Sequence, residues 1–577
     1  MQMREELIAA ARGEIEVDLL LSGGQLANVL SGEVYRADVA VHRGKVVGFE
    51  CCSARDVLEQ EGQVVAPGFI DGHVHIESSM VTVPEYARAV VPRGTTTVVA
   101  DPHELANVWG GAGIRYILDS SRDLPLNVYV MLPSCVPATD LETAGASLRA
   151  ADLASLLKEH RVLGLAEMMN YPGVLFRDPE VMKKLALAES RPVDGHAPGL
   201  SGRDLSAYIS AGIGSDHECT TIEEAREKVR AGMQIMLREG SAAKNLRDLL
   251  PLVTAKNAGR FLFVSDDRHP ADLLGQGHID FMVRTVVEQG LEPIMAMQIA
   301  SYNAARYFGL PHLGAVAPGY RADIVVLDDL ESLRPVKVIK DGRVVAEEGQ
   351  LCVSLKPAGG AAVRSMNIAP LAPVSLAITA QPGPARVIGV VDGQIVTRSL
   401  SLEPRVEGGF VVSDTGRDIL KMAVVERHRG TGNIGRALVQ GFGLACGALA
   451  TSVAHDSHNI AVVGVSDADM LAAVQAVQQM GGGLVALAEG RALARLPLPV
   501  AGLMSEARLE EVQEGMESCI AAARGLGCRL TDPFMTLSFL CLPVIPELKL
   551  TDRGLVDVGE FRLVGMFIQK IRKGMYL

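Results

Sequence analysis

Between residues 67 and 312, short apolar runs alternate with stretches of helical periodicity, and most of the runs end on a histidine or a carboxylate. The runs cover residues 68–70, 95–100, 127–131, 162–165, 192–194, 213–215, 234–237 and 261–264. Strand and helix in alternation is the pattern of a parallel α/β sheet. Eight repeats predict a closed (β/α)8 barrel of the TIM type, with its chemistry at the C-terminal strand ends.

The flanks read differently. Residues 1–15 have the pattern of an amphipathic helix, and strands are expected at 17–21, 37–42 and 45–50, the last two joined across Arg43-Gly44 as a hairpin. Strand-like runs return at 322–327 and 336–345, with a turn at Asp341-Gly342. These halves, 1–66 and 313–356, are expected to close into one small β-sandwich domain with the barrel, 67–312, inserted between them. Residues 357–372 are rich in Pro, Gly and Ala and read as a linker. From 373 to 577 strands at 385–391, 394–397, 421–426 and 483–487 mix with helices at 470–479 and 506–526, an α+β domain. No internal repeat or low-complexity tail is present.

The polar groups fall where a barrel places its chemistry. His73 and His75 are two apart, so in a strand their rings share one side, and two converging imidazoles suit a divalent metal. Later strand ends carry Asp101 and His103, then Glu167, His196, His217, and Asp266 with Asp267. Charged groups resist burial unless paired or metal-bound. Four histidines with Glu167 and Asp266 match two divalent ions about 3.5–4 Å apart, bridged by a carboxylate and a hydroxide.

Composition narrows the partners. At 577 residues the chain holds several domains, and 48% hydrophobic content with 59 Gly is that of a packed globular protein. A net charge of −13 without a basic block argues against nucleic acid and for a small-molecule substrate. Nine cysteines without a Cys-x-x-Cys pair are expected as reduced thiols. Arg4, Glu5 and Glu6 stand where a signal peptide would be basic, and no apolar run spans a membrane. The expected location is the cytoplasm, and the expected assembly is a homodimer, two-fold symmetry being the commonest.

The string Pro-Gly-Phe-Ile-Asp-Gly-His-Val-His-Ile-Glu-Ser-Ser from Pro67 resembles the amidohydrolase superfamily. Asp101-Pro102-His103-Glu104, Gly164–Asn170, Asp194–Gly199, Ser215–Glu218 and Ser265–Pro270 narrow the resemblance to the bacterial adenine deaminase family. It continues through Arg429–Gly435 and Ala454–Asn459, nearly the whole chain. The resemblance implies hydrolysis of adenine to hypoxanthine and ammonia, in purine salvage, by attack of a metal-bridging hydroxide on C6. It implies two divalent ions, manganese first, iron or zinc as alternatives. His73 and His75 then bind one ion, His196 and His217 the other, and Glu167 bridges where many relatives use a carboxylated lysine. Asp266 is the last ligand and the proton shuttle, with Asp267 the fallback; Asp266, Glu167 and His217 are the expected catalytic groups. Glu77, Asp101, His103, Glu104 and Asp267 are read as an auxiliary cation site or as groups that orient the ligands, against helix capping or structural ion pairing. His269, His455 and His458 are the expected substrate contacts, against ordinary structural hydrogen bonding.

Two rival functions fit less well. Another cyclic amidohydrolase, of hydantoinase or dihydroorotase type, lacks its strand-end lysine here, and a non-catalytic barrel scaffold would have lost a ligand. Two motifs also mislead. Gly430–Gly435 fits G-x-G-x-x-G without a clear βαβ unit and acidic partner. His75-Ile76-Glu77 fits half of the zinc nucleobase-deaminase signature, whose Pro-Cys-x-x-Cys half is absent.

Overall fold

The computed structural model describes residues 2–50, 52–358 and 365–568; Cys51 and residues 359–364 of the predicted linker lie outside the described residues. The chain divides into two compact units. One comprises Met1–Pro102, Arg115–Ser134 and Arg149–Gly360; the other comprises His103–Ile114, Cys135–Leu148 and Ala361–Leu577.

In the first unit eight parallel strands follow the predicted order: β1 (Phe69–Val74), β2 (Thr95–Ala100), β3 (Asn127–Leu132), β4 (Val162–Met168), β5 (Val193–Gly195), β6 (Ser215–Asp216), β7 (Gln234–Arg238) and β8 (Phe261–Val264). They form a five-stranded sheet, β5-β4-β3-β2-β1, and a three-stranded sheet, β6-β7-β8. Backbone hydrogen bonds link the two sheets at both seams. Between β1 and β8, Asp266 N donates to His73 O at 3.0 Å and His75 N to Asp266 O at 3.2 Å. Between β5 and β6, Gly214 N donates to Val193 O at 2.9 Å. There a Cβ on Gly195 would lie 2.2 Å from Ser215 O, so only glycine permits the approach. β2 (TTTVVA) and β8 (FLFV) are buried on both faces, as parallel strands are. Ile70, Val99, Met131, Ala166, Met236 and Leu262, from six strands, share one apolar core.

The flanks of this unit supply two further sheets. One has the order Lys45–Gly48, Val39–His42, Val17–Ser22, Ala54–Glu59. The other runs Gln350–Leu351, Arg343–Glu347, Pro335–Lys340, Ile324–Leu327, Val64–Pro67, Gln25–Asn28, Glu33–Arg36, so both ends of the unit's sequence enter one sheet. Leu19, Leu21, Val39 and Val41 pack with Ile324, Val326, Val336 and Ile339 in a core shared by the two sheets. Arg43 and Gly44 take φ of 51° and 72°, and Asp341 and Gly342 take 49° and 75°, the left-handed pairs that tight hairpins need.

The second unit is built on an eight-stranded sheet that runs from Thr397–Leu402 at one edge to Arg491–Pro497 at the other. Helix Asp467–Met480 buries Met470, Ala473, Val474 and Val477 against it. The strand expected at 394–397 instead starts at Thr397, whose hydroxyl donates to Leu548 O at 2.9 Å. Gly430–Gly435 belongs to the connection between Ile419–Val425 and Ile434–Gln440, which pair antiparallel, so no dinucleotide-binding βαβ unit exists there. Buried Glu426 accepts hydrogen bonds from the backbone N–H groups of His428, Arg429 and Thr431 in that connection. Cys219, Cys352, Cys446, Cys519, Cys528 and Cys541 are free thiols, and no helix among the described residues is long and apolar enough to cross a membrane.

His428 Nε2 donates to Ser457 O at 2.7 Å. Burial, then the charges of Arg427 and Arg429, push its pKa down to about 3. The unfolded chain takes up a proton near pH 6.5, which the folded chain refuses until about pH 3. Stability from this group is therefore complete above pH 6.5 and declines on acidification, by up to about 1.4 kcal/mol per pH unit. Denaturant midpoints measured from pH 7 to 4 are expected to fall less steeply in His428→Asn than in wild type; equal slopes would contradict this.

Candidate active site

The first unit gathers six of the expected residues at the C-terminal ends of its strands. His73 is the penultimate residue of β1 and His75 follows its end, so their rings reach the same side. His73 Nε2 and His75 Nε2 lie 3.1 Å apart, and Asp266 Oδ1 lies 3.3 and 3.2 Å from them. Glu167, on β4, stands at the centre. Its Oε1 is 3.4 Å from His75 Nε2, and its Oε2 is 2.7 Å from His196 Nδ1 and 3.3 Å from His217 Nε2. The His73 and His217 rings stack with centroids 4.7 Å apart.

Several contacts hold this set in place. Buried Asp71 accepts from His73 N at 3.2 Å, from Ser265 N at 3.1 Å and from Ser265 Oγ, and His278 Nε2 lies 2.9 Å from it. His75 Nδ1 donates to Asp101 O at 3.0 Å, which leaves the Nε2 lone pair directed at the cluster. Asp266 adopts φ 54°, a left-handed turn straight after β8 that a non-glycine residue rarely takes. Below His217, Asp216 accepts from Ala197 N at 2.8 Å and Glu218 N at 3.2 Å, so one carboxylate ties together the turns after β5 and β6. Lys228, fully buried, compensates it at 3.0 Å and also reaches Glu224 at 2.7 Å and Ala197 O at 2.8 Å.

Burial disfavours charge on Glu167, but hydrogen bonds from His196, His217 and His75 hold its carboxyl well below the usual range. Burial likewise opposes ionisation of Asp266, and the Arg238 charge with His73 and His75 drives its carboxyl well below the ordinary value. For His73, His75, His196 and His217 burial works against protonation; Asp266 and Glu167 raise His73 and His75, Glu167 and Asp266 raise His217, and Glu218, then Glu167, raise His196.

Nitrogens and carboxylate oxygens converging at 3.1–3.4 Å have the spacing of ligand atoms around an ion about 2.0–2.2 Å from each. With the Nδ1–H tautomer of His75 imposed by Asp101 O, the donor set fits divalent metal. His73, His75 and Asp266 form one group and His73, Glu167 and His217 another.

The other expected residues have different surroundings. Glu77 is buried in the 3-10 turn Ile76–Ser79. Asp101 contributes its carbonyl to His75, as above. Asp267 accepts from Ser78 Oγ at 2.5 Å, whereas Asp266 faces the histidines. The His269 N–H donates to Ser241 Oγ at 2.9 Å, and its buried Nε2 has no hydrogen-bond partner. His103, Glu104, His455 and His458 belong to the second unit. There His458 Nε2 lies 3.7 Å from Glu104 Oε2, while its Nδ1 accepts from Ala454 N at 3.3 Å, which keeps the proton on Nε2. His103 Nε2 and His455 Nδ1 approach Asp456 Oδ1 at 3.9 and 3.7 Å.

Two residues of the site carried no role in the sequence reading. Glu218 Oε1 lies 3.6 Å from His196 Nδ1 and 3.5 Å from His217 Nε2. Arg238, the last residue of β7, joins Glu218 to Asp266 Oδ2, the latter at 3.0 Å. The signal for Arg238 is that its strand, 234–237, is one of the two candidate strands, with 127–131, whose ends carry no assigned polar group.

Residues 64–345 match the family model for the amidohydrolase family, and residues 394–562 match that for the adenine deaminase C-terminal domain. An adenine deaminase of Methanothrix thermoacetophila is 54% identical over 568 residues, 98% of this chain and 100% of that one. The chain belongs to the adenine deaminase family. Adenine deaminases of Desulfatibacillum aliphaticivorans and Carboxydothermus hydrogenoformans, the latter named adenine deaminase 2, are 52% and 53% identical over 566 residues, 98% of this chain and 99% of each. The parallel strands and mixed α/β content of the first unit are the amidohydrolase-family fold that this membership implies.

Removing Lys228 strands Asp216 as an uncompensated buried charge beneath His217. Lys228→Met is expected to destabilise the protein by about 3–5 kcal/mol, read as a drop in denaturation midpoint. A change below about 1 kcal/mol would show that the pair does not brace the turns.

Proposed function

We propose that the chain is a metal-dependent aminohydrolase that converts adenine and water to hypoxanthine and ammonia. The observation that carries this reading is the convergence of His73, His75, His196, His217, Glu167 and Asp266 in a chain 54% identical to an adenine deaminase. His73, His75 and Asp266 would hold one divalent ion, His196 and His217 a second, with Glu167 between them. Manganese is our assignment, with iron or zinc as the alternatives that mixed nitrogen and oxygen ligands accept. When bound, the ions supply a water acidified toward neutrality and the positive charge that offsets the transition state.

The remaining steps belong to the chain. Adenine C6 becomes electrophilic when a ring nitrogen is protonated or hydrogen-bonded, and His269, with its free Nε2, is our candidate contact for the base. A C–O bond forms at C6 and the C–N bond to the exocyclic amine breaks. Asp266 takes the proton of the adding water and passes it to the departing nitrogen, which leaves as ammonia. Glu167 and His217 orient the reacting water. Asp267, tied to Ser78, serves as an outer support.

The wider organisation is proposed on the same footing. Eight strands hydrogen-bonded across both seams support a closed (β/α)8 barrel within residues 67–312. The two sheets with a shared core support a small β domain from 1–66 and 313–356, with 373–577 as the α+β domain. We place the protein in the cytoplasm, in purine salvage, as a homodimer acting on a free base and not on nucleic acid.

Metal-replete protein is expected to release ammonia from adenine and not from adenosine, cytosine or dihydroorotate; protein inert toward adenine would overturn the proposal. Asp266→Asn is expected to lower kcat by about 10²–10⁴-fold without unfolding the chain. Near-wild-type turnover would remove Asp266 from proton transfer.

A further inference from the structure

Arg238 is buried at the end of β7, and its guanidinium lies between two carboxylates of the site. Nη1 donates to Asp266 Oδ2 at 3.0 Å and to Glu218 Oε1, while Nη2 donates to Glu218 Oε2 at 3.2 Å. Asn245 fixes the strand end: its Oδ1 accepts from Arg238 N at 2.7 Å, and its Nδ2 donates to His217 O at 2.9 Å and Cys219 O at 3.1 Å. Arg238, Glu218 and His217 are therefore held in one frame.

Glu218 is the anomaly in that frame. Its Oε1 lies 3.6 and 3.5 Å from His196 Nδ1 and His217 Nε2, the same two nitrogens that Glu167 meets at 2.7 and 3.3 Å. His196, His217 and Glu218 together have the geometry of a three-ligand metal group. An ion there could draw Glu218 into its coordination sphere and lose the open position that a reacting water or substrate needs.

We propose that Arg238 is a positioning residue that holds Glu218 off the ion on the His196 and His217 side while presenting Asp266 Oδ1 to His73 and His75. The inference rests on the two-ion reading above. A guanidinium suits the task because its planar fork engages Glu218 through two nitrogens and still reaches Asp266, which a lysine ammonium cannot do. Arg238 also cancels the charge of Glu218, so the pair stays neutral beside the ions. When the guanidinium is removed, Glu218 has no competing cation within its contacts and becomes the extra ligand.

The test compares wild type, Arg238→Met, Arg238→Lys, Glu218→Gln and the Arg238→Met/Glu218→Gln double variant. Each is loaded with Co²⁺ and read by visible absorption, by Co²⁺ affinity in equilibrium dialysis, and by kcat and KM for adenine. Arg238→Met is expected to alter the Co²⁺ spectrum, to tighten one ion by about 10–100-fold, and to lower kcat more than it raises KM. The double variant is expected to return spectrum and affinity to those of Glu218→Gln alone. Arg238→Lys moves the same way to a smaller extent, and decides the matter if the Met variant fails to fold. An unchanged Co²⁺ spectrum in the Arg238 variants, or a double variant that matches Arg238→Met, would overturn the proposal. Wild type that takes up no Co²⁺ sinks the two-ion reading itself, whereas wild type that takes up Co²⁺ but is inert toward adenine sinks only the substrate, leaving the spectral comparison intact.

Discussion

Two backbone hydrogen bonds, Asp266 N to His73 O and His75 N to Asp266 O, bring residue 266 against residues 73–75 and so make the site. Strand side chains alternate faces, so a one-residue slip here would turn both histidines away from Glu167. Asp71 protects the register from inside the strand. It receives the N–H of His73 on its own strand and the N–H and hydroxyl of Ser265 across the seam, so the same carboxylate senses both sides. The left-handed turn at Asp266 then aims the side chain back at the rings it has just been paired with.

The site is also an electrostatic problem solved by pairing. Carboxylates at 167, 216, 218 and 266 sit together in a buried region, and isolated charges there would be prohibitive. Lys228 compensates Asp216, Arg238 compensates Glu218 and Asp266, and four histidines face Glu167 and Asp266. Buried ion pairs of this kind add little net stability, because desolvation offsets the attraction. What they provide is placement: each cation has a fixed direction, and the carboxylate it holds cannot drift toward another partner. Positioned carboxylates and imidazoles with fixed orientations are what a pair of divalent ions requires.

Much of this was legible in the residues, for a definite reason. The strands Thr95–Ala100 and Phe261–Val264 fall on their predicted bounds because buried parallel strands are continuous apolar runs with a polar residue after them. Outside the central region that signal weakens. Ala54–Glu59 is largely exposed and mixed in polarity, so its residues carry no strand pattern, although it pairs parallel with Val17–Ser22. Ile460–Gly464 and Ala448–Thr451 are apolar but short, and only their antiparallel partners make them strands.

The division between legible and hidden groups is itself physical. His73, His75, His196, His217 and Glu167 declare themselves because metal chemistry demands particular side chains in particular places. Arg238 and Glu218 do not: an arginine or a glutamate is ordinary on any surface, and their role exists only once the chain is folded and Arg238 reaches across to residue 266. The glycine-rich segment at 430–435 is the converse case. Its letters match a phosphate-binding turn, but its flanking strands pair antiparallel, and Glu426 takes the N–H of Thr431 within it and those of His428 and Arg429 just before it. Those three N–H groups are already satisfied by a carboxylate of the chain itself, so they are not offered to an anion. Residue type identifies a group that must touch a ligand; only the contacts reveal a group whose task is to restrain another.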